Sequence, residues 1–150
     1  MKSVIQRVTH ASVKVDGEIK GEIKNGLLIL AGFCDEDTDE DLEYCAQKIV
    51  KLRIFNDENN VMNLSVEETG GEILIISQFT LYAATKKGNR PSYTAAAKGE
   101  IAQPLCNKFT ELIEKLSGKK VETGVFGADM KVELCNDGPV TIIIDSKNRF

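Results

Sequence analysis

Apolar and polar positions in this chain follow two rhythms, and the switches between them mark the elements. Val4, Ile5 and Val8 open the chain as a strand, and Val13 and Val15 alternate around Lys14. A period of two places alternate side chains on one sheet face. Asp16-Gly17 comes next, a pair suited to a two-residue hairpin because both positions take positive φ. Ile19 and Ile23 predict the return strand, and Asn25-Gly26 predicts a second tight turn. Leu27 to Phe33 is apolar at nearly every position, which predicts a strand covered on both faces. Three strands joined by two tight turns predict a meander.

A helical period begins after Thr38. Thr38 suits a cap, and Asp39, Glu40 and Asp41 place acids in the first turn, where the helix dipole favours them. Leu42, Cys45, Ala46, Ile49 and Val50 fall at i, i+3, i+4, i+7 and i+8, one apolar stripe. Asn56 to Asn60 is polar and predicts a loop. Glu72 to Ile76 predicts a second buried strand. Leu105, Phe109, Leu112, Ile113 and Leu116 mark a second helix over roughly 100–117, with Pro104 near its start and Gly118 as its stop. Met130, Val132 and Leu134 alternate as a strand, Asn136-Asp137-Gly138-Pro139 predicts a chain reversal, and Val140 to Ile144 a last buried strand. The order predicts one mixed α/β domain over residues 1–150, two main helices packed on a curved mixed sheet.

Composition narrows the class. The chain has 150 residues, 42% hydrophobic and 28% charged, as ordinary soluble domains are. No apolar run reaches the roughly 18 residues of a membrane helix, so no membrane partner is expected. The first residues lack the apolar stretch of a secretory signal; a cytoplasmic location is expected. The cysteines, Cys34, Cys45, Cys106 and Cys135, show no C-x-x-C spacing, and His10 is the single histidine. They predict buried, reduced thiols rather than a zinc site. The net charge of −4 argues against a protein that coats nucleic acid non-specifically, since that binding runs on phosphate neutralisation. It leaves room for an enzyme that grips an RNA end; the basic run Lys86-Lys87-Gly88-Asn89-Arg90 has the composition of a solvated loop, and its place just after Ser77 to Ala83 favours a phosphate-contacting one.

Two segments concentrate candidate chemistry. Ser77-Gln78-Phe79-Thr80-Leu81-Tyr82-Ala83 places polar residues directly after a buried strand. Strand ends in α/β sheets present backbone amides and side chains to clefts; a strand emerging into solvent has the same composition. Asn136-Asp137-Gly138-Pro139-Val140-Thr141 reads as an ordinary turn or as a functional loop. There is no G-x-S-x-G elbow, Walker loop or G-x-G-x-x-G, and His10 has no Ser or Cys partner nearby in sequence. A hydrolase built from this chain works with backbone donors, hydroxyls or a group on its substrate.

At these segments the chain closely resembles the D-aminoacyl-tRNA deacylase family of bacteria and eukaryotes. The likeness runs along essentially the whole chain. It is carried by Val4-Ile5-Gln6-Arg7-Val8, Met62-Asn63-Leu64-Ser65, Ser77 to Ala83, Lys87-Gly88-Asn89-Arg90-Pro91-Ser92, Thr123-Gly124-Val125-Phe126-Gly127-Ala128-Asp129-Met130 and Asn136 to Thr141. One departure is Ala84, where relatives usually carry Asp. The resemblance implies a barrel-like sheet, a homodimer, and a substrate that is the aminoacylated 3′ end of tRNA. It implies no metal and no organic cofactor. Ser77, Gln78, Phe79 and Thr80 are the implied catalytic segment, lining the pocket for the terminal adenosine and its ester. Gly138, Pro139, Arg7, Phe126 and Met130 are the implied substrate-binding positions. Gly138-Pro139 is implied to be cis and to enter the partner's pocket, where its carbonyls exclude L side chains, with Arg7 holding that loop.

The activity this implies is hydrolysis of D-aminoacyl-tRNA, a chirality proofreading step. Glycine has no side chain to exclude, so glycyl-tRNA, including glycine mischarged on tRNA-Ala, is an expected substrate. Thr80 is the natural candidate nucleophile, but no base lies beside it in sequence. The ribose 2′-OH next to the ester is the preferred source of assistance, with amides near Phe79 and Thr80 as oxyanion donors. Two other readings stand beside this one: a non-catalytic RNA-end-binding module, and a related L-alanyl-tRNA deacylase. The latter carries Pro in place of Ser77 and a trans Gly-Pro bond, so Ser77 favours the D-specific type.

Overall fold

The computed structural model describes residues 1–149. Strand β1 (Lys2–Val15) is the spine of the sheet. Along one side it pairs antiparallel with β2 (Glu18–Ile23) through its second half and with β3 (Gly26–Gly32) through its first half. Along its other side it pairs with β8 (Lys131–Asp145). Beyond β3 come β6 (Glu72–Ser77) and the short β7 (Glu122–Thr123), each added in parallel.

The Asp16-Gly17 turn is as expected, with φ of 50° and 80°. The meander is not. β2 and β3 both run antiparallel to β1, so Asn25-Gly26 carries the chain straight on from one to the other instead of reversing it. Gly26 is needed for a different reason: a Cβ there would sit 1.8 Å from the Glu72 carbonyl oxygen of β6. Its missing side chain serves close backbone approach, not positive φ.

The reversal expected at Asn136 to Pro139 also does not occur. β8 is one strand antiparallel to β1, interrupted by a bulge at those residues. A bulge admits turn residues without turning the chain, which is why composition alone does not separate the two.

Helix α1 (Asp39–Lys51) lies between β3 and β6, together with a small antiparallel pair, β4 (Phe55–Asn56) and β5 (Met62–Leu64), and the one-turn α2 (Val66–Thr69). Helix α3 (Gly99–Ser117) lies between β6 and β7. These parallel neighbours require such crossovers. Leu27, Ile29, Ala31, Ile73 and Ile75 face the two main helices and form the larger core with Phe109 and Ile113. Leu28, Leu74 and Ile76 point to the other face and pack with Val8, Ala11 and Val13. Both faces of β3 are therefore covered, as its apolar run predicts. The barrel-like curl brings β2 against β7: a Cβ on Gly21 would lie 2.7 Å from the Thr123 carbonyl oxygen.

The thiols are free, but only Cys34 and Cys45 are buried; Cys106 is half-buried and Cys135 is exposed on β8. The expectation of four buried thiols is corrected: Cys135 falls on the outward phase of an alternating strand whose inner face carries Val132 and Leu134.

Candidate active site

The sheet sets the site by ending β3 and β6 together. Ala31 pairs with Ser77, and the Gln78 amide donates to the Ala31 carbonyl at 2.7 Å, one bond past the end of β6. The chain then tightens into a 3-10 turn, Phe79–Tyr82. Gly32 permits this: a Cβ there would meet the Gln78 carbonyl oxygen at 2.8 Å and Leu81 Cβ at 3.1 Å. The amides of Phe79 and Thr80 open the turn, so neither has a carbonyl one turn earlier to bond.

Ser77, Gln78 and Phe79 line a cavity of about 450 Å³, with Phe126 and Met130 also in its wall. Five of the expected site residues are thus brought together. Phe79 is 56% exposed and packs edge-on against Tyr93, ring centroids 5.1 Å apart. A second recess of about 380 Å³ shares Ser77, Phe126 and Met130 with the first and is walled by α3.

Thr80 lines neither recess. Its hydroxyl is held by the Gln78 side-chain amide. An amide is neither an acid nor a base near neutral pH, so this partner does not activate the hydroxyl.

Arg7, Gly138 and Pro139 form a separate cluster that does not line either recess of their own chain. The Gly138-Pro139 peptide is cis, and Gly138 has φ +127°, a region that favours glycine. Arg7 is 7% exposed. Its Nε donates to the Asp137 carbonyl at 3.1 Å and lies 3.3 Å from the Asp137 carboxylate. Its Nη1 donates to the Ile54 carbonyl at 2.6 Å and to Asn56 Oδ1 at 3.3 Å. The pairing with Asp137 and the hydrogen bonds from Nε and Nη1 offset the cost of burying the charge.

Titrating groups around the recesses are few. Asp129 lines the first and is paired with Lys131 at 3.0 Å, both well exposed. Cys106 lines the second, and burial pushes its thiol up to about 11, which keeps it protonated. His10 is exposed on β1, beside Thr9, and lines neither. Among the described residues, no group of three or more His, Cys, Asp or Glu is placed to hold a metal ion.

Sequence reasoning missed Asp129 and the α3 wall. The wall had a signal: Gln103, Asn107, Thr110 and Glu111 fall at i, i+4, i+7 and i+8, a polar stripe beside the apolar one.

The chain is similar to known proteins along nearly its whole length. A curated relative from Parabacteroides distasonis, a D-aminoacyl-tRNA deacylase, is 61% identical over 149 residues, 99% of each chain. One of the same name from Flavobacterium psychrophilum is likewise 61% identical over 149 residues, 99% of each. A solved structure called c-Myc DNA Unwinding Element Binding Protein superposes with a TM-score of 0.91 at 43% identity, covering 97% of this chain and 98% of that one. Another, described as a probable eukaryotic D-amino acid tRNA deacylase, has a TM-score of 0.81 over 95% and 97% of the two chains; at 18% identity that likeness is one of fold. The family model for D-Tyr-tRNA(Tyr) deacylase matches residues 4–145, and the chain belongs to that family.

Proposed function

We propose that this chain hydrolyses the ester joining a D-amino acid to the 3′ end of tRNA, as a cytoplasmic homodimer that clears wrongly charged tRNA. The observation that carries this reading is the cavity at the end of β6, where Ser77, Gln78 and Phe79 meet Phe126 and Met130 in a chain of this family.

The roles follow from the chemistry of ester cleavage. Negative charge builds on the carbonyl oxygen, and the amides of Phe79 and Thr80 stabilise it, each such donor being worth about 2.7–4 kcal/mol. Gln78 holds the ribose or base, and Phe79 and Phe126 offer faces against which the base packs. The attacking water is oriented by the neighbouring ribose 2′-OH. The bond between Gln78 and Thr80 supports this over a threonine nucleophile, because it supplies no base.

Chirality is read by rejection. Gly138 and Pro139 are exposed and do not line their own chain's recesses, so in this reading they wall the cavity of a second subunit. Two features favour that partner. The edge of β8 opposite β1 has no strand paired to it among the described residues, and Ile143 on this strand is 62% exposed. A long unpaired edge is a ready surface for association. The basic loop, pinched by the Ala84–Ser92 bridge just past the 3-10 turn, takes the phosphates of the acceptor end.

The direct test is deacylation of D-tyrosyl-tRNA and L-tyrosyl-tRNA by the purified protein. Release of the D-amino acid with the L-ester spared is expected. Binding without release of either would assign the chain to non-catalytic RNA binding.

A further inference from the structure

The pairing of β1 with β8 slips at two neighbouring places, at Thr9 between Val8 and His10 and, more widely, around Arg7. Gln6 pairs with Thr141 and Val8 with Asn136, so Arg7 alone faces Asp137, Gly138, Pro139 and Val140. Such a bulge takes backbone groups out of the ladder and leaves them needing other partners. Side chains supply them. On the first flank, Arg7 Nε donates to the Asp137 carbonyl at 3.1 Å. On the other, Asn136 Nδ2 donates to the Val140 carbonyl at 3.1 Å, across the mouth of the bulge. The same nitrogen reaches the Arg7 carbonyl at 3.5 Å. Both neighbours are carbonyl acceptors, so the nitrogen of the amide, and not its oxygen, must face them.

We infer that Asn136 is a positioning residue for chiral selection: its side-chain amide closes the base of the Gly138-Pro139 loop and fixes where that loop's carbonyls stand. Arg7 grips only the Asp137 side. Without Asn136 the Val140 carbonyl loses its side-chain donor, and the loop is held from the Asp137 side alone. A loop that excludes L side chains by rigid placement then yields to them. Asn136 touches no substrate in this scheme and acts through the loop. The inference rests on the reading above that this loop rejects L-amino acids.

The test uses the full chain with Asn136→Ala and Asn136→Asp. Asn136 is half-buried and outside both apolar cores, so both variants should fold, and thermal melting checks it. Aspartate keeps the shape but carries no donor and sets a charge against two carbonyls. The readout is kcat/KM for L-tyrosyl-tRNA divided by that for D-tyrosyl-tRNA, a ratio that general loss of stability does not raise. It is expected to rise at least about tenfold in both variants, further in N136D. Glu133→Ala, on the same strand, should leave the ratio as in the wild type. An N136D ratio within about twofold of a discriminating wild type overturns the inference while leaving the activity in place. A wild type that cleaves both hands equally overturns the underlying reading, and this inference with it.

Discussion

Met130 lies directly over the α-carbon of Gly124: a Cβ on that glycine would sit 2.4 Å from the methionine sulfur. Met130 borders both recesses, so the bare backbone at Gly124 decides where this wall stands. Gly124→Ala should push the flexible thioether into the cavity rather than unfold the chain. We expect a stability loss of about 1 kcal/mol with a roughly tenfold fall in kcat/KM for D-tyrosyl-tRNA, about 1.4 kcal/mol of transition-state binding. Melting and steady-state kinetics on one preparation check both. A large loss of stability with unchanged kinetics would count against a role for Met130 in the wall.

The Gln78–Thr80 hydrogen bond sets a second expectation. If Thr80 only stays the turn, Thr80→Ala should cost about tenfold in kcat, whereas loss of a true nucleophile costs about 10⁴–10⁶. A substrate ending in 2′-deoxyadenosine should lose about 10²–10⁴ in rate if the ribose hydroxyl assists. Single-turnover assays of the two, side by side, separate the routes: a collapse with T80A and indifference to the 2′-OH would favour a covalent threonine ester.

The two main helices were legible because each carries one continuous stripe and a marked end, as at Leu42 to Val50 and at Gly118. The central strand was legible because Leu27 to Gly32 is apolar on both phases. Pairing was not. Asn25-Gly26 and Asn136 to Pro139 have turn composition, yet one carries β2 into β3 and the other bulges out of β8. Local residue types report what the backbone can do at a point, while the partner strand decides what it does. The cavity was half legible. Ser77, Gln78 and Thr80 stand out as polarity at a strand end, though Thr80 does not line the cavity, and Phe126 and Met130 reach it only through tertiary packing and are implied by the family resemblance. Arg7 is the same case: a cation in an apolar strand signals a buried partner without saying which one, and its partner lies 130 residues away.

Acid should weaken the fold at Asp41. This carboxylate is buried, which by itself would raise its pKa. Hydrogen bonds from Lys147 at 2.6 Å and from the Thr38 amide and hydroxyl at 2.9 Å outweigh burial and hold it below its ordinary 3.8. As pH falls, the unfolded chain takes up this proton first. The stabilisation is therefore complete above about pH 5 and drains away as pH drops from 3.8 toward the folded value. Asp41→Asn cannot titrate. The Tm gap between wild type and D41N should be flat from about pH 8 to pH 5 and shrink below about pH 4. A gap that does not change with pH would mean that the ion pair with Lys147 is not maintained in solution.

Rejection and attraction make opposite forecasts for glycine. A pocket that selects D-amino acids by gripping their side chains would bind glycine poorly. A wall that only excludes the L side chain has nothing to push against in glycine, whose two α-hydrogens are alike. The wall proposed here is the main-chain carbonyls of Gly138 and Pro139, which exclude by position rather than grip. Glycyl-tRNA should therefore be cleaved about 10–200-fold faster than L-alanyl-tRNA, the range one methyl group is worth against a fitted surface. Both esters can be built on the same tRNA-Ala, so that the nucleic acid contributes equally and only the methyl differs. Arg7→Ala should narrow the gap by raising the L-alanyl rate, because it frees the Asp137 side of the loop. Equal rates for glycine and L-alanine in the wild type would place chiral selection elsewhere in the cavity.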